Sequence, residues 1–132
     1  MTTTLTDSER LELKHELQNR LAARIEETRR ILLDSDDEQY VALAGEVHDL
    51  EDESVADLLK DVQLADVDRH VEEIRDIEAA LLRIADGTYG LCTQCGNEIG
   101  HARLAAYPTA KRCLTCQEQY EKTFKQPDRA SL

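Results

Sequence analysis

Four cysteines, the only ones in the 132-residue chain, sit as Cys92-x-x-Cys95 and Cys113-x-x-Cys116 with seventeen residues between the pairs. At that spacing one turn of backbone aims two sulfurs at a single point, and the interval between pairs falls in the window of tetrahedral zinc sites. Gly96 follows the first pair, where a tight knuckle needs a residue tolerant of positive φ, and Gly90 precedes it. Pro108 comes shortly before the second pair, and residues 117–124 after it have helical character. The quartet predicts one structural Zn2+, because four thiolates close the tetrahedron and leave no position for a reacting water. His101 lies between the pairs as a spare ligand; with four cysteines present it is expected at the surface.

Two disulfides are the main rival. Met1-Thr2-Thr3-Thr4 leads directly into charged residues, with no secretory signal and no run long and apolar enough for a membrane. A cytoplasmic, reducing setting is therefore expected, and structural disulfides do not suit it. Redox chemistry at C-x-x-C would want a strand–helix setting, which neither pair has.

Charge is unevenly placed. Residues 1–33 carry six basic and six acidic groups, residues 34–86 four basic and eighteen acidic, and residues 87–132 six basic and four acidic. DNA binding draws most of its affinity from phosphate neutralisation, so a middle segment at −14 argues against a direct, sequence-specific DNA-binding role. Arg103, Lys111 and Arg112 form a small basic cluster, not a stripe.

The chain holds one Phe, four Tyr and no Trp, which suits narrow helix–helix seams better than a broad core. Thr6-Asp7-Ser8-Glu9 fits a capping box and predicts a helix from Asp7. Leu13, Leu17, Leu21, Ile25, Thr28 and Leu32 then form one seam at steps of four and three. Asp34-Ser35-Asp36-Asp37 weakens the helix, which can resume over residues 38–47 with Val41 and Ala44 inward. Residues 45–53 read as the turn. Ser54 offers a second cap, followed by a seam of Val55, Leu59, Val62, Val67, Val71, Ile74, Ile77, Leu81 and Ile84 that stops at Asp86-Gly87. The fold class is mainly α: a long antiparallel helical hairpin over residues 1–86 with its tip near 45–54, a four-cysteine finger with a short terminal helix over 87–125, and a flexible tail at 126–132. The same seams could pair between chains; the turn and matched lengths favour an intramolecular hairpin and a monomer.

Gly90-Leu91-Cys92-Thr93-Gln94-Cys95-Gly96-Asn97-Glu98-Ile99, then Arg103-Leu104, Ala106 and Pro108, then Cys113-x-x-Cys116, closely resembles the signature of the DksA/TraR family of bacterial zinc-finger transcription factors. The resemblance implies a factor that binds RNA polymerase and inserts an acidic coiled-coil tip into its secondary channel. Counted back from Cys92 without gaps, the family's D-x-x-D-x-A tip falls on Asp49, Asp52 and Ser54, with serine replacing the alanine. Three basic positions through which the family prototype binds the alarmone ppGpp fall on Asp76, Tyr107 and Gln117, none of them basic. A tetra-anion needs Arg or Lys there, so a polymerase effect with little ppGpp dependence is expected.

Two further functions stay open at this level. A transcript-cleavage accessory would use Asp49, Glu51 and Asp52 to hold a metal, although a different fold is expected at the base of such a hairpin. A plain protein-interaction module would need only the zinc-tied helices. An enzyme in its own right is not expected, since the chain has no nucleophile–base motif, no Gly-rich phosphate loop and no open metal site.

Overall fold

A computed structural model describes residues 4–50 and 53–125. Its helices are α1 (Asp7–Leu33), α2 (Glu38–Asp49), α3 (Val55–Leu59), α4 (Ala65–Asp86), α5 (His101–Ala106) and α6 (Leu114–Lys125). The only β pairing among the described residues is an isolated antiparallel bridge between Leu91 and Glu98. No helix among them is long and apolar enough to cross a membrane.

α1 begins where its capping box predicts. Thr6 Oγ1 accepts from the Glu9 amide at 3.0 Å, and the Glu9 carboxylate accepts from the Thr6 amide at 2.9 Å. The Thr6 amide, with His101 adding its charge, holds the Glu9 carboxyl below the usual range. Leu13, Leu17, Thr28 and Leu32 are buried on the expected face of α1, and Leu21 and Ile25 pack beside them. Thr28 satisfies its hydroxyl by donating to the Arg24 carbonyl at 2.8 Å. α4 runs antiparallel to α1: Arg24 bonds Glu73, and Glu27 lies 3.7 Å from His70. Its last turn closes at Gly87 in left-handed backbone (φ 84°), as Asp86-Gly87 predicts.

The expected single hairpin is broken at two places. The second long helix does not run through from Val55; it stops at Leu59 and restarts at Ala65. The seam explains the interruption, since Val62 to Val67 is a step of five that carries an apolar residue off the helical stripe. On the other strand, Ser35 Oγ accepts from the Asp37 amide at 3.1 Å and Asp37 caps α2 through the Gln39 amide at 2.8 Å. The Asp/Ser run thus ends one helix and starts the next in the reverse direction. Gly45, read as part of a turn, lies inside α2.

α2 folds back along α1, and α3 packs against α4. The distal end of the arm is accordingly formed by residues 34–37 and 60–64, where Tyr40 Oη accepts from the Gln63 amide at 3.4 Å. The described residues of the expected tip, 45–50 and 53–54, lie along the flank. Ser54 sits beside Glu78, fourteen residues along from Leu64, which is roughly 20 Å back from the distal end. The tail at 126–132 lies outside the described residues.

Two apolar clusters stack along the arm. The distal one gathers Leu32, Ala44, Val47, Val55, Ala56, Leu59, Val62, Val67, Val71 and Ile74. The basal one gathers Leu13, Leu17, Ile77, Ala80, Tyr89, Cys92, Ile99, Leu104 and Ala110, so the first cysteine is packed into the foot of the hairpin.

Candidate metal centre

The knuckle is built by backbone that the glycines permit. After α4, the Thr88 and Tyr89 amides return to the Arg83 carbonyl at 2.9 and 3.1 Å. Gly90 holds φ 92°, and a Cβ there would stand 3.1 Å from the Leu5 side chain, so glycine serves both conformation and packing. Cys92 then donates its amide to Asn97 O at 2.8 Å while its carbonyl accepts from Gly96 at 3.0 Å, closing the turn on Gly96 at φ 76°. The second pair is tied in by Thr93 N to Lys111 O at 2.8 Å. Tyr89, buried, donates its hydroxyl to Pro108 O at 2.8 Å, and this loss of solvent pushes its pKa up to about 12. α6 carries Cys116 in its first turn, with the Gln117 amide on Cys113 O at 2.9 Å.

These constraints bring all four sulfurs within 4.8 Å of one another. A zinc–sulfur bond of about 2.3 Å in a tetrahedron requires sulfurs about 3.8 Å apart. Cys95 Sγ and Cys113 Sγ stand at 3.8 Å, far beyond the ~2.05 Å of a disulfide, and all four cysteines are free. Burial opposes the Cys92 thiolate, yet the amides of Cys95, Cys113 and Gln94 aimed at its sulfur outweigh that and lower its pKa to about 6. Cys116 is pushed up to about 12, first by its hydrogen bond to Cys113 and then by burial. A divalent cation at the centre of the four sulfurs favours the thiolate form of each. The donor set fits Zn2+. His101 is outside it, with Nδ1 3.5 Å from Glu9 on α1.

Two of the three expected tip residues, Asp49 and Ser54, are among the described residues. Asp49 ends α2. Asp52 lies outside the described residues. Ser54 caps α3 by accepting from the Asp57 amide at 3.1 Å, and it donates to Glu78 at 2.8 Å. Asp76, Tyr107 and Gln117 share one cleft, of about 190 Å3, with Arg103, Lys111 and Arg112. Two of those cations are engaged by the protein itself. Arg103 donates to the Arg112 carbonyl at 3.1 Å and lies 5.7 Å from the Tyr107 ring. Arg112 lies 3.8 Å from the Tyr120 ring. Sequence reasoning missed Glu78, which looks like one more surface acid on α4, and missed that Asp34 to Asp37 occupy the distal turn. The 62-to-67 step was the available signal for the second point.

Fold and site together define a cysteine-only zinc finger set at the foot of an acidic helical arm. Residues 87–122 match the prokaryotic DksA/TraR C4-type zinc finger. The chain is 39% identical over 74 residues to the RNA polymerase-binding transcription factor DksA of Caulobacter vibrioides, covering 56% of this chain and 52% of that protein. It is 40% identical over 65 residues to the protein of the same name from Escherichia coli K12, covering 49% and 43%. The matched stretch therefore spans about half the length of these curated relatives. Over most of the chain it is similar to the solved structure of transcription factor DksA2 from Pseudomonas aeruginosa, with a TM-score of 0.59, 29% identity, and coverage of 90% of this chain and 88% of that one. The finger is thus of the DksA/TraR type, and the chain is similar in fold to transcription factor DksA2.

Proposed function

We propose that this protein is a cytoplasmic transcription regulator that binds bacterial RNA polymerase as a monomer and inserts its acidic arm into the secondary channel. The zinc finger acts as a structural anchor, holding one ion through Cys92, Cys95, Cys113 and Cys116. The observation that carries the reading is the union of a family-type finger with an arm whose residues 34–86 sum to −14. Such a charge is repelled by nucleic acid and attracted to the basic walls of a channel that admits nucleotides, with steering that weakens as salt rises. The relatives named as RNA polymerase-binding factors support the same partner.

The acting carboxylates are Asp49 and Asp52, with Ser54 beside them in sequence. A pull-down on RNA polymerase core, paired with promoter assays, tests this. Asp49→Asn/Asp52→Asn should keep binding and lose the promoter effect, whereas Asp34→Asn/Asp36→Asn/Asp37→Asn should weaken it only in part. The reverse pattern would move the acting end to the distal turn, and no binding by the wild type would overturn the function.

Response to ppGpp is weak or absent on this reading. Asp76 stands where a cation is needed, and Arg103 and Arg112 are committed to internal partners. A titration in which ppGpp strongly potentiates the effect through this protein would contradict that.

A further inference from the structure

Glu78 is the one side chain of α4 that grips the folded-back segment through several bonds. Its carboxylate accepts from Ser54 Oγ at 2.8 Å, the Val55 amide at 2.9 Å and the Ala56 amide at 3.4 Å. It thus covers the first turn of α3 from a neighbouring helix, where the free amides favour negative charge. A second, looser tie joins Arg75 to Asp57 at 3.7 Å.

The sequence supports another arrangement of the same residues. The pairing of Arg24 with Glu73 and of Glu27 with His70 fixes the register of α1 against α4. Extended without slippage beyond Leu33 and Ala65, that register sets Val41 opposite Ala56 and puts the chain reversal at His48-Asp49. That is the stretch whose composition reads as a turn. Val41, an apolar residue on the expected seam, is 41% exposed in the folded-back form. No proline lies before Pro108, so nothing covalent prevents α2 from continuing α1 or α3 from continuing α4.

We propose that α2 and α3 form a latched flap, with Glu78 holding the arm folded back and its release letting the arm extend into a single longer hairpin. The α4 strand would grow from 22 residues to the 32 of Val55 to Asp86, a change from about 33 to about 48 Å. Asp49 would pass from the flank to the end of the arm. The regulatory meaning of that change, a reach withheld until the arm is engaged, rests on the polymerase-binding reading above. The latch itself does not. The folded-back form keeps Ala44, Val47, Val55 and Leu59 in the distal cluster, and that burial favours it.

Spin labels introduced as non-natural side chains at Asn19 and Glu46, leaving the zinc cysteines untouched, report the two forms on the zinc-loaded protein without polymerase. In the extended form these positions are separated by 27 helical residues, about 40 Å of axial rise. Glu78→Gln should raise the long-distance population roughly tenfold, since it removes a charged acceptor shared by three donors. Amide protection in α2 and α3 should persist. An unchanged distance in a folded Glu78→Gln protein would overturn the latch. So would a longer distance with protection lost from α2 and α3, because that is local unfolding and not extension. If Glu78→Gln fails to hold zinc or fold, Ser54→Ala is read by the same criteria, with a smaller shift. Failure to bind polymerase would overturn the proposed function and leave these distances unaffected.

Discussion

The foot of the arm and its distal half are held by different kinds of interaction. At the foot, four sulfurs, glycines at positive φ and a buried Tyr89–Pro108 bond each accept very few substitutes. In the distal half, Ala44, Val47, Val55, Ala56 and Leu59 are held by apolar packing, and the Glu78 carboxylate ties the folded-back segment to α4. A cluster specified by bond geometry has one solution. A cluster specified by apolar area has several, separated by small free energies.

The largest test of that contrast is zinc. Structural zinc contributes about 10–16 kcal/mol in finger peptides, more than the whole stability of a typical small domain. Chelation, or Cys113→Ser, should therefore abolish amide protection across residues 88–117 while α2 and α3 stay protected. Uniform exchange along the chain would mean that the two regions are not separate. Next come cavities. Leu17→Ala and Leu59→Ala each remove a fully buried side chain and should cost about 2–5 kcal/mol. Leu17→Ala should lower protection at the foot and Leu59→Ala only in the distal half; identical profiles by hydrogen exchange would erase the distinction.

Tyr89→Phe should cost about 1 kcal/mol, the usual net value of one hydrogen bond. It also carries a pH signature. The Tyr89 pKa, about 12 in the folded protein, lies above its unfolded value near 10. The stability it brings is therefore complete below pH ~10 and is lost as pH rises towards 12. Denaturant melts across that window should fall more steeply for the wild type than for Tyr89→Phe, and parallel curves would contradict the burial argument. The smallest effect should be at Arg24–Glu73, which is half exposed. Glu73→Gln should cost less than about 1 kcal/mol and the loss should shrink in high salt; a salt-independent cost of several kcal/mol would show a stronger tie between α1 and α4 than exposure allows.

The same contrast explains what the sequence revealed. Cys92, Cys95, Cys113 and Cys116, the Thr6–Glu9 cap, the stop at Gly87 and the α1 seam are each dictated by local chemistry, and the fold contains them where the residues indicate. The fold-back was not legible, because the seam from Val55 to Ile84 serves a straight hairpin and a folded one almost equally. The step from Val62 to Val67 and the Asp34–Asp37 run mark the two breaks, but neither specifies the direction in which the chain continues. Glu78 was invisible for a related reason: its partners are the Val55 and Ala56 amides, and backbone donors carry no sequence signature.

Thr4 bonds Glu98 and Leu5 packs on Gly90, so the described chain starts and finishes its structural work at the same end. The arm is therefore internal sequence, anchored once at its foot. Removing equal numbers of residues from its outgoing and returning strands, in steps that respect the α1–α4 register, would shorten it and leave the zinc knuckle untouched. Arm length is in this sense a modular dimension of the molecule, adjustable without redesigning what holds it.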